Sequence, residues 1–144
     1  MAHHARGIVG PRTALAHVTS LGLPEAPHEL DVGMAWLPVT EAVMTALAQR
    51  SPEPAAADAR FERLGWGVIE LCCDLSRDGA IVYLETEYFG QVGQQLAAVF
   101  EGGARTVETA TVNEALRAIG VIARAGEDEW DTVGLDAHRV MPDE

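Results

Sequence analysis

Four carboxylates and one tyrosine are the residues of this sequence best suited to chemistry. Glu70 and Asp74 lie four positions apart in one short segment, and Tyr83, Glu85 and Glu87 occupy alternate positions of the next. Alternate residues of a β-strand lie on the same face of a sheet, so two paired strands would gather all five side chains. Such a cluster can bind a basic protein, hold a hard divalent cation, or supply the acid and base of a hydrolase.

The segment Trp66–Gly90 predicts the two strands. Asp78-Gly79 is a dipeptide that favours a tight hairpin turn, and a two-residue loop there sets the register of the flanking residues. Glu70 then faces Glu87, and like charges placed directly opposite each other destabilise a sheet. A cation, an arginine from elsewhere in the chain or a basic partner would relieve that repulsion. The alternative is a solvated acidic face, screened by water and salt.

The sequence favours binding over catalysis at this cluster. A hydrolase with paired carboxylates needs one acid and one base in different environments, whereas these four carboxylates share one environment. No loop of the type D-x-D-x-D-G supports a calcium site. We therefore predict no catalytic residue, no metal ligand and no cofactor, and we name Glu70, Asp74, Tyr83, Glu85 and Glu87 as residues that bind a partner.

The cysteines and histidines do not predict a site of their own. Adjacent strand residues point to opposite faces, so we expect Cys73 to be buried and Cys72 to lie among the carboxylates, which suppress its reactivity. No two histidines have the spacing of zinc ligands. The five histidines are His3, His4, His17, His28 and His138.

Charge and hydropathy restrict the class of partner. The formal net charge is −12, and all 10 basic residues are arginines. This balance argues against binding a nucleic-acid backbone and favours a basic protein partner. No apolar run has the roughly 18 residues that a membrane-spanning helix needs, and no secretory signal is recognisable. We therefore expect a cytoplasmic protein that binds neither nucleic acid nor membrane.

The remaining patterns predict an α+β fold. Residues 40–50 and 111–119 have capped, amphipathic helical patterns, and Thr111 with Glu114 forms a capping box. Residues 94–101 and 104–108, separated by Gly102-Gly103, favour two further strands. We predict an antiparallel sheet of three to four strands, with the two main helices packed on one face.

Two parts of the chain are expected to differ in role. Glycines and prolines interrupt residues 1–33, which predicts a peripheral or partly ordered extension before a single α+β domain at residues 34–144. The alternative is an N-terminal segment packed across the core through its apolar residues. A short helix is also expected over residues 55–63.

The segment ETEYFGQVGQQLAAV resembles a segment of small bacterial proteins, some of which are similar to immunity proteins of polymorphic toxins. The departure is Gln91, where those proteins have a second glycine. The resemblance spans about residues 65–139 and continues into Asn113–Leu116 and Asp128–Asp131. Its matching positions are Glu85, Glu87, Tyr88, Phe89, Gly90, Gly93, Gln95 and Ala97.

The resemblance implies a non-catalytic acidic protein, an immunity-like inhibitor that masks the basic site of a toxin. The alternative is a small enzyme or divalent-metal-binding protein that uses the carboxylate face of the 66–90 hairpin. The sequence leaves the oligomeric state open.

Overall fold

Six strands form one antiparallel sheet in the order β2-β3-β1-β4-β5-β6. The structure, a computed structural model, describes residues 2–50, 58–89 and 92–143. The α+β class and the antiparallel sheet are confirmed, whereas the prediction of three to four strands is wrong. The strands are β1 (Ala2–Pro11), β2 (His28–Glu29), β3 (Met34–Pro38), β4 (Ile81–Phe89), β5 (Val92–Glu101) and β6 (Ala104–Ala110).

Helices cover both faces of the sheet. Within the described residues there are five α-helices: α1 (Arg12–Leu15), α2 (Glu41–Arg50), α3 (Trp66–Leu75), α4 (Val112–Ala118) and α5 (Glu129–Val133). Short 3-10 helices follow α1, α3 and α5. The first three α-helices pack on what we call the front face, against Ile8, Ile81 and Tyr83. The other two pack on the back face.

The two main helices do not share a face, which corrects the prediction. Helix α2 buries Val43 and Leu47 on the front face, and α4 buries Val112 and Leu116 on the back face. The continuous apolar run Ile81–Leu84 explains this arrangement, because consecutive strand residues point to opposite faces and all four are fully buried. Both faces of β4 therefore need a covering layer.

Local signals at the start of the two helices are confirmed. The Thr40 hydroxyl accepts a hydrogen bond from the Val43 N–H group at 3.2 Å and so caps α2. Thr111 and Glu114 form the expected capping box at α4. Each cap satisfies backbone N–H groups that have no partner inside the helix, which fixes where the helix begins.

The predicted 66–90 hairpin is wrong in its first half. Residues 66–75 form helix α3, which buries Val68, Leu71, Cys72 and Leu75, spaced at i, i+3, i+4 and i+7. That is the spacing of one helical face, and it outweighs the alternation that suggested a strand. Asp78 ends a 3-10 helix, and Gly79, with φ of 154°, leads into β4. The predicted pairing of Glu70 with Glu87 therefore does not exist.

The N-terminal segment belongs to the centre of the sheet. Strand β1 pairs with β3 on one side and with β4 on the other. Ile8, Val9 and Leu15 are fully buried. Within residues 2–33, the structure thus contradicts a peripheral extension separate from a domain at 34–144, and it agrees with the alternative of a segment packed across the core.

A glycine allows β1 to lie between its neighbours. A Cβ atom added at Gly7 would be 2.3 Å from the carbonyl oxygen of Leu37 and 2.7 Å from the Trp36 ring. No side chain fits there without movement of the β3 backbone. Gly7 lowers the propensity of the segment for a strand, but the close approach requires it.

Candidate functional site

Three rows of side chains cross the front face of the sheet, and they change from apolar to charged. Each row contains one residue from β1, one from β4 and one from β5, paired directly in the ladder. The rows are Ile8–Tyr83–Ala98, Arg6–Glu85–Leu96 and His4–Glu87–Gln94. The first row lies beneath the front helices, and the other two extend the same face toward the end of the sheet.

A cavity of about 320 Å³ lies over the charged rows. Its lining contains two arginines and three glutamates, a formal charge of −1. The lining residues are Arg6, Arg60, Glu62, Glu85, Thr86, Glu87, Gln94, Gln95 and Leu96. Leu96 is the one apolar residue among them, whereas pockets for drug-like ligands are mostly apolar. The cavity thus suits a charged or strongly polar group.

Glu85 is a structural carboxylate at the base of this cavity. Its Oε2 atom accepts hydrogen bonds from the Tyr83 hydroxyl at 2.6 Å and from the Arg63 N–H group at 2.7 Å. Its Oε1 atom accepts from the Glu62 N–H group at 2.6 Å. Burial, followed by the charge of Glu85, raises the pKa of the Tyr83 phenol well above its ordinary value. Tyr83 is therefore a neutral donor to Glu85.

The turn-rich loop at residues 58–64, which we call the anchor loop, forms one wall of the site. Its own backbone closes through a hydrogen bond from Asp58 N–H to the Leu64 carbonyl at 3.2 Å. Phe61 and Leu64 pack into the front core. The short helix expected over residues 55–63 is absent from the described part of that segment, since residue 58 has no regular structure and residues 59–63 are turns and bends; residues 55–57 lie outside the described residues.

Arginine pairs hold the anchor loop against the sheet. Asp58 accepts hydrogen bonds from Arg60 at 2.7 Å and from Arg105 of β6 at 2.9 Å. The Arg105 guanidinium also lies 5.7 Å from the centre of the Phe61 ring, within range of a cation–π contact. The side-chain hydrogen bond from Arg60 is the largest cause that holds the pKa of Asp58 well below its ordinary value.

The linkage between Asp58 ionisation and loop anchoring gives a prediction about pH. Because the folded-state pKa of Asp58 is lowered, its stabilisation is complete above the unfolded pKa of about 3.9 and is lost as the pH falls further. We expect Asp58→Asn to lower the free energy of unfolding by about 1–2 kcal/mol at pH 7, since Arg60 is half exposed and water screens the pair. The difference should become smaller as the pH falls from about 4 toward 2, which urea unfolding at pH 7 and across that range measures. Asp136→Asn, which removes an exposed carboxylate 3.6 Å from Arg139, is the control.

Arg6 and Glu62 form a charged pair at the cavity wall. The Arg6 residue is only 3% exposed, and its Nε and terminal nitrogen donate to the same Glu62 oxygen, Oε2, at 3.0 and 2.5 Å. The Glu62 side chain is 58% exposed. Its other oxygen, Oε1, makes no hydrogen bond within the described residues, so acceptor capacity is left facing the cavity.

Glu87 is the second carboxylate with acceptor capacity to spare. It is exposed in the last of the three rows, and within residues 2–50, 58–89 and 92–143 it forms no hydrogen bond or ion pair. Glu62 and Glu87 are therefore two carboxylates of this cavity that can bind a cation.

The five residues predicted from the sequence do not form one cluster. Tyr83, Glu85 and Glu87 share the front face of β4, as predicted, but Tyr83 is fully buried and cannot be an exposed anchor. Glu70 and Asp74 lie on α3 and outside the lining of the cavity. The error follows from the helix at 66–75, because four-residue spacing puts these two acids on the exposed side of a helix.

A second cavity, of about 480 Å³, contains Asp74 and lies beside α3. It brings His17 and Asp78 together, with 2.9 Å between Nε2 and Oδ2, and it also contains Ser20. The Ser20 hydroxyl, however, donates to the carbonyl oxygen of His17 at 2.8 Å and not to an imidazole. The three residues therefore do not form the hydrogen-bonded chain that activates a serine nucleophile.

The two cysteines are placed opposite to the prediction. Cys72 is fully buried in the front core, and Cys73 is partly buried. Burial is the main cause that raises the pKa of both thiols, so neither has the character of a reactive thiolate. Among the described residues, no group of three or more histidine, cysteine, aspartate or glutamate side chains is placed to hold a metal ion.

Three charged residues of the cavity were not predicted from the sequence: Arg6, Arg60 and Glu62. Arg6 lies in the segment expected to be peripheral, and it comes next to Glu62 only through a hydrogen bond across 56 positions of the chain. The adjacent β-branched residues Ile8 and Val9 give a weak strand signal, but they follow a glycine and precede Gly10-Pro11. No local pattern indicates that the anchor loop would lie over that strand.

Comparison with protein-family models, with curated proteins and with solved structures finds no match for this chain. The resemblance to immunity proteins therefore stays a prediction, and so does a cytoplasmic location. In the part of the chain that the structure describes, no helix is long and apolar enough to cross a membrane.

Proposed function

We propose that this protein is a non-catalytic binding protein that captures a basic protein partner at the charged end of the front face, in the manner of an immunity protein. The observation that carries the proposal is the pair Glu62 and Glu87, two exposed carboxylates with unused acceptors on one polar cavity. The net charge of −12 supports it, because a strongly acidic protein accelerates its encounter with a basic one.

The rest of the site supports binding over catalysis. Glu85 accepts three hydrogen bonds from within the chain, and Tyr83 is buried and neutral. Both groups are engaged inside the protein and are not presented to a substrate. A rigid, fully hydrogen-bonded base beneath two exposed carboxylates is the arrangement expected of a recognition surface.

The test is quantitative binding to a purified partner. The partner is first recovered from the native host with wild-type protein and then purified separately. We expect Glu87→Lys to raise the Kd for the purified partner by at least about tenfold, since the change replaces a favourable charge with a repulsive one. Association with wild type should slow as salt rises to physiological strength.

The matched control is Glu70→Lys, which makes the same change of charge on the exposed side of α3. It should weaken binding by less than about threefold, through long-range electrostatics alone. Equal weakening by both variants would indicate a diffuse acidic surface and not this site. Unchanged binding with both variants would contradict the proposed function.

A further inference from the structure

We propose that the cavity between the anchor loop and β4 is an arginine receptor, into which the partner inserts one guanidinium group to be held by Glu62 and Glu87. This inference rests on the proposed function and deepens it, because it names the chemical group that the site recognises. It follows from the charge of the cavity, from the positions of its free acceptors and from the pair that fixes Glu62.

The charge of the cavity matches one cation. Two arginines and three glutamates line it, so one additional positive charge makes the lining neutral. The two arginines of the lining do not repel an incoming cation strongly, because each is already paired with a carboxylate. Arg6 is bound to Glu62 Oε2 at 2.5 Å, and Arg60 is bound to Asp58 and Glu108, each at 2.7 Å.

The free acceptors belong to two separate carboxylates. Glu62 is bound to the row of Arg6 and Glu85 through both its N–H group and its carboxylate, whereas Glu87 lies in the next row. A guanidinium carries five N–H donors in a planar fork and can donate to two carboxylates at once, whereas an ammonium group is a compact point charge.

Arg6 acts as a positioning residue for this receptor. Two of its hydrogen bonds go to Oε2 of Glu62, which directs the Glu62 side chain and leaves Oε1 for a ligand, while another Arg6 nitrogen lies 3.4 Å from Nδ1 of His4. Since Arg6 is almost completely buried, it orients Glu62 without itself reaching the partner. The amide of Gln94, in the row of Glu87, adds a neutral acceptor at the cavity wall.

The experiment titrates isotopically labelled protein with N-acetyl-arginine-N-methylamide and follows the backbone amide signals by NMR. The lysine and citrulline analogues are titrated in parallel, because citrulline keeps the shape of arginine without its charge. We expect saturable shifts at residues 85–87 and 94–96, with arginine binding at least about fivefold more tightly than lysine. Citrulline should cause no saturable shift.

Two variants locate the site. Glu87→Gln should weaken binding of the arginine analogue by about tenfold, the usual effect of losing one charge-assisted hydrogen bond. Glu70→Gln should leave it unchanged. Equal binding of arginine and lysine, unchanged affinity in Glu87→Gln, or no saturable shift up to about 100 mM, far above the millimolar range expected for a fragment, would overturn the arginine receptor.

The failure of this inference can be distinguished from failure of the proposed function. If Glu87→Lys weakens binding of the purified partner while the arginine analogue does not bind, the surface binds a protein but does not bind an arginine side chain in the cavity. If the analogue binds and competes with the partner, both hold. If the analogue binds, but neither Glu87→Lys nor an excess of the analogue changes the affinity for the partner, the cavity binds arginine and the proposed docking surface is wrong.

Discussion

Deletion of residues 2–11 is expected to abolish the folded state. The deletion removes β1, which separates β3 from β4 and contributes Ile8 and Val9 to the front and back cores. Two neighbouring strands would lose their backbone partners at once, and each unsatisfied buried group costs about 1–3 kcal/mol. The total exceeds the 5–15 kcal/mol that stabilises a typical domain. Circular dichroism should show no cooperative thermal transition.

A synthetic peptide of residues 1–11 provides the control for this deletion. If the loss is due to the missing strand, adding the peptide in excess should restore a cooperative transition whose midpoint rises with peptide concentration. A peptide with Ile8→Asp should not restore it, because that change puts a charge into the front core. A truncated protein that melts like the full chain without any peptide would contradict a central β1.

Glu85→Lys is expected to lower the free energy of unfolding by about 3–5 kcal/mol, since three hydrogen bonds to a half-buried carboxylate are lost and each is worth about 1–1.5 kcal/mol. The carboxylate accepts from the Tyr83 hydroxyl and from two anchor-loop amides. Lysine offers no acceptor, so all three donors would lose their partner. Urea unfolding followed by tryptophan fluorescence measures the change.

Glu87→Lys is the matched control, since it makes the same substitution two residues further along the same face of β4. Glu87 is exposed and has no partner within the described residues, so its replacement should change the free energy of unfolding by no more than about 0.5 kcal/mol. Equal losses for the two variants would mean that the Glu85 hydrogen bonds do not hold the anchor loop.

The strands and helices with one dominant period could be predicted from sequence. Strand β4 and the helices at 41–50 and 112–118 have such patterns, and the caps at Thr40 and Thr111 confirm where two helices begin. The segment Trp66–Leu75 has apolar residues spaced at the helical period of about 3.6 and also at the strand period of 2. There, packing of Val68, Leu71 and Leu75 against the front core decides for a helix.

The acidic side of β4 could be predicted, but its partners could not. The alternation of Tyr83, Glu85 and Glu87 places them on one face whatever strand lies beside them. Which residues neutralise them depends on contacts between distant parts of the chain. Arg6 and Glu62 are brought to this face by sheet order and by the anchor loop, and neither arrangement has a local signal.

The central position of β1 has a consequence for synthesis of the chain. Its Ala5 N–H group bonds to Thr86, 81 residues later, and its Arg6 N–H group bonds to the sulfur of Met141, 135 residues later. At a translation rate of about 5–20 residues per second, β1 leaves the ribosome roughly 4–16 s before β4. During that interval β3 is available to pair with β1, but β4, its other neighbour in the sheet, is not. Ile8 and Val9 of β1 are therefore apolar side chains that a nascent-chain chaperone is expected to cover until the second half of the sheet arrives.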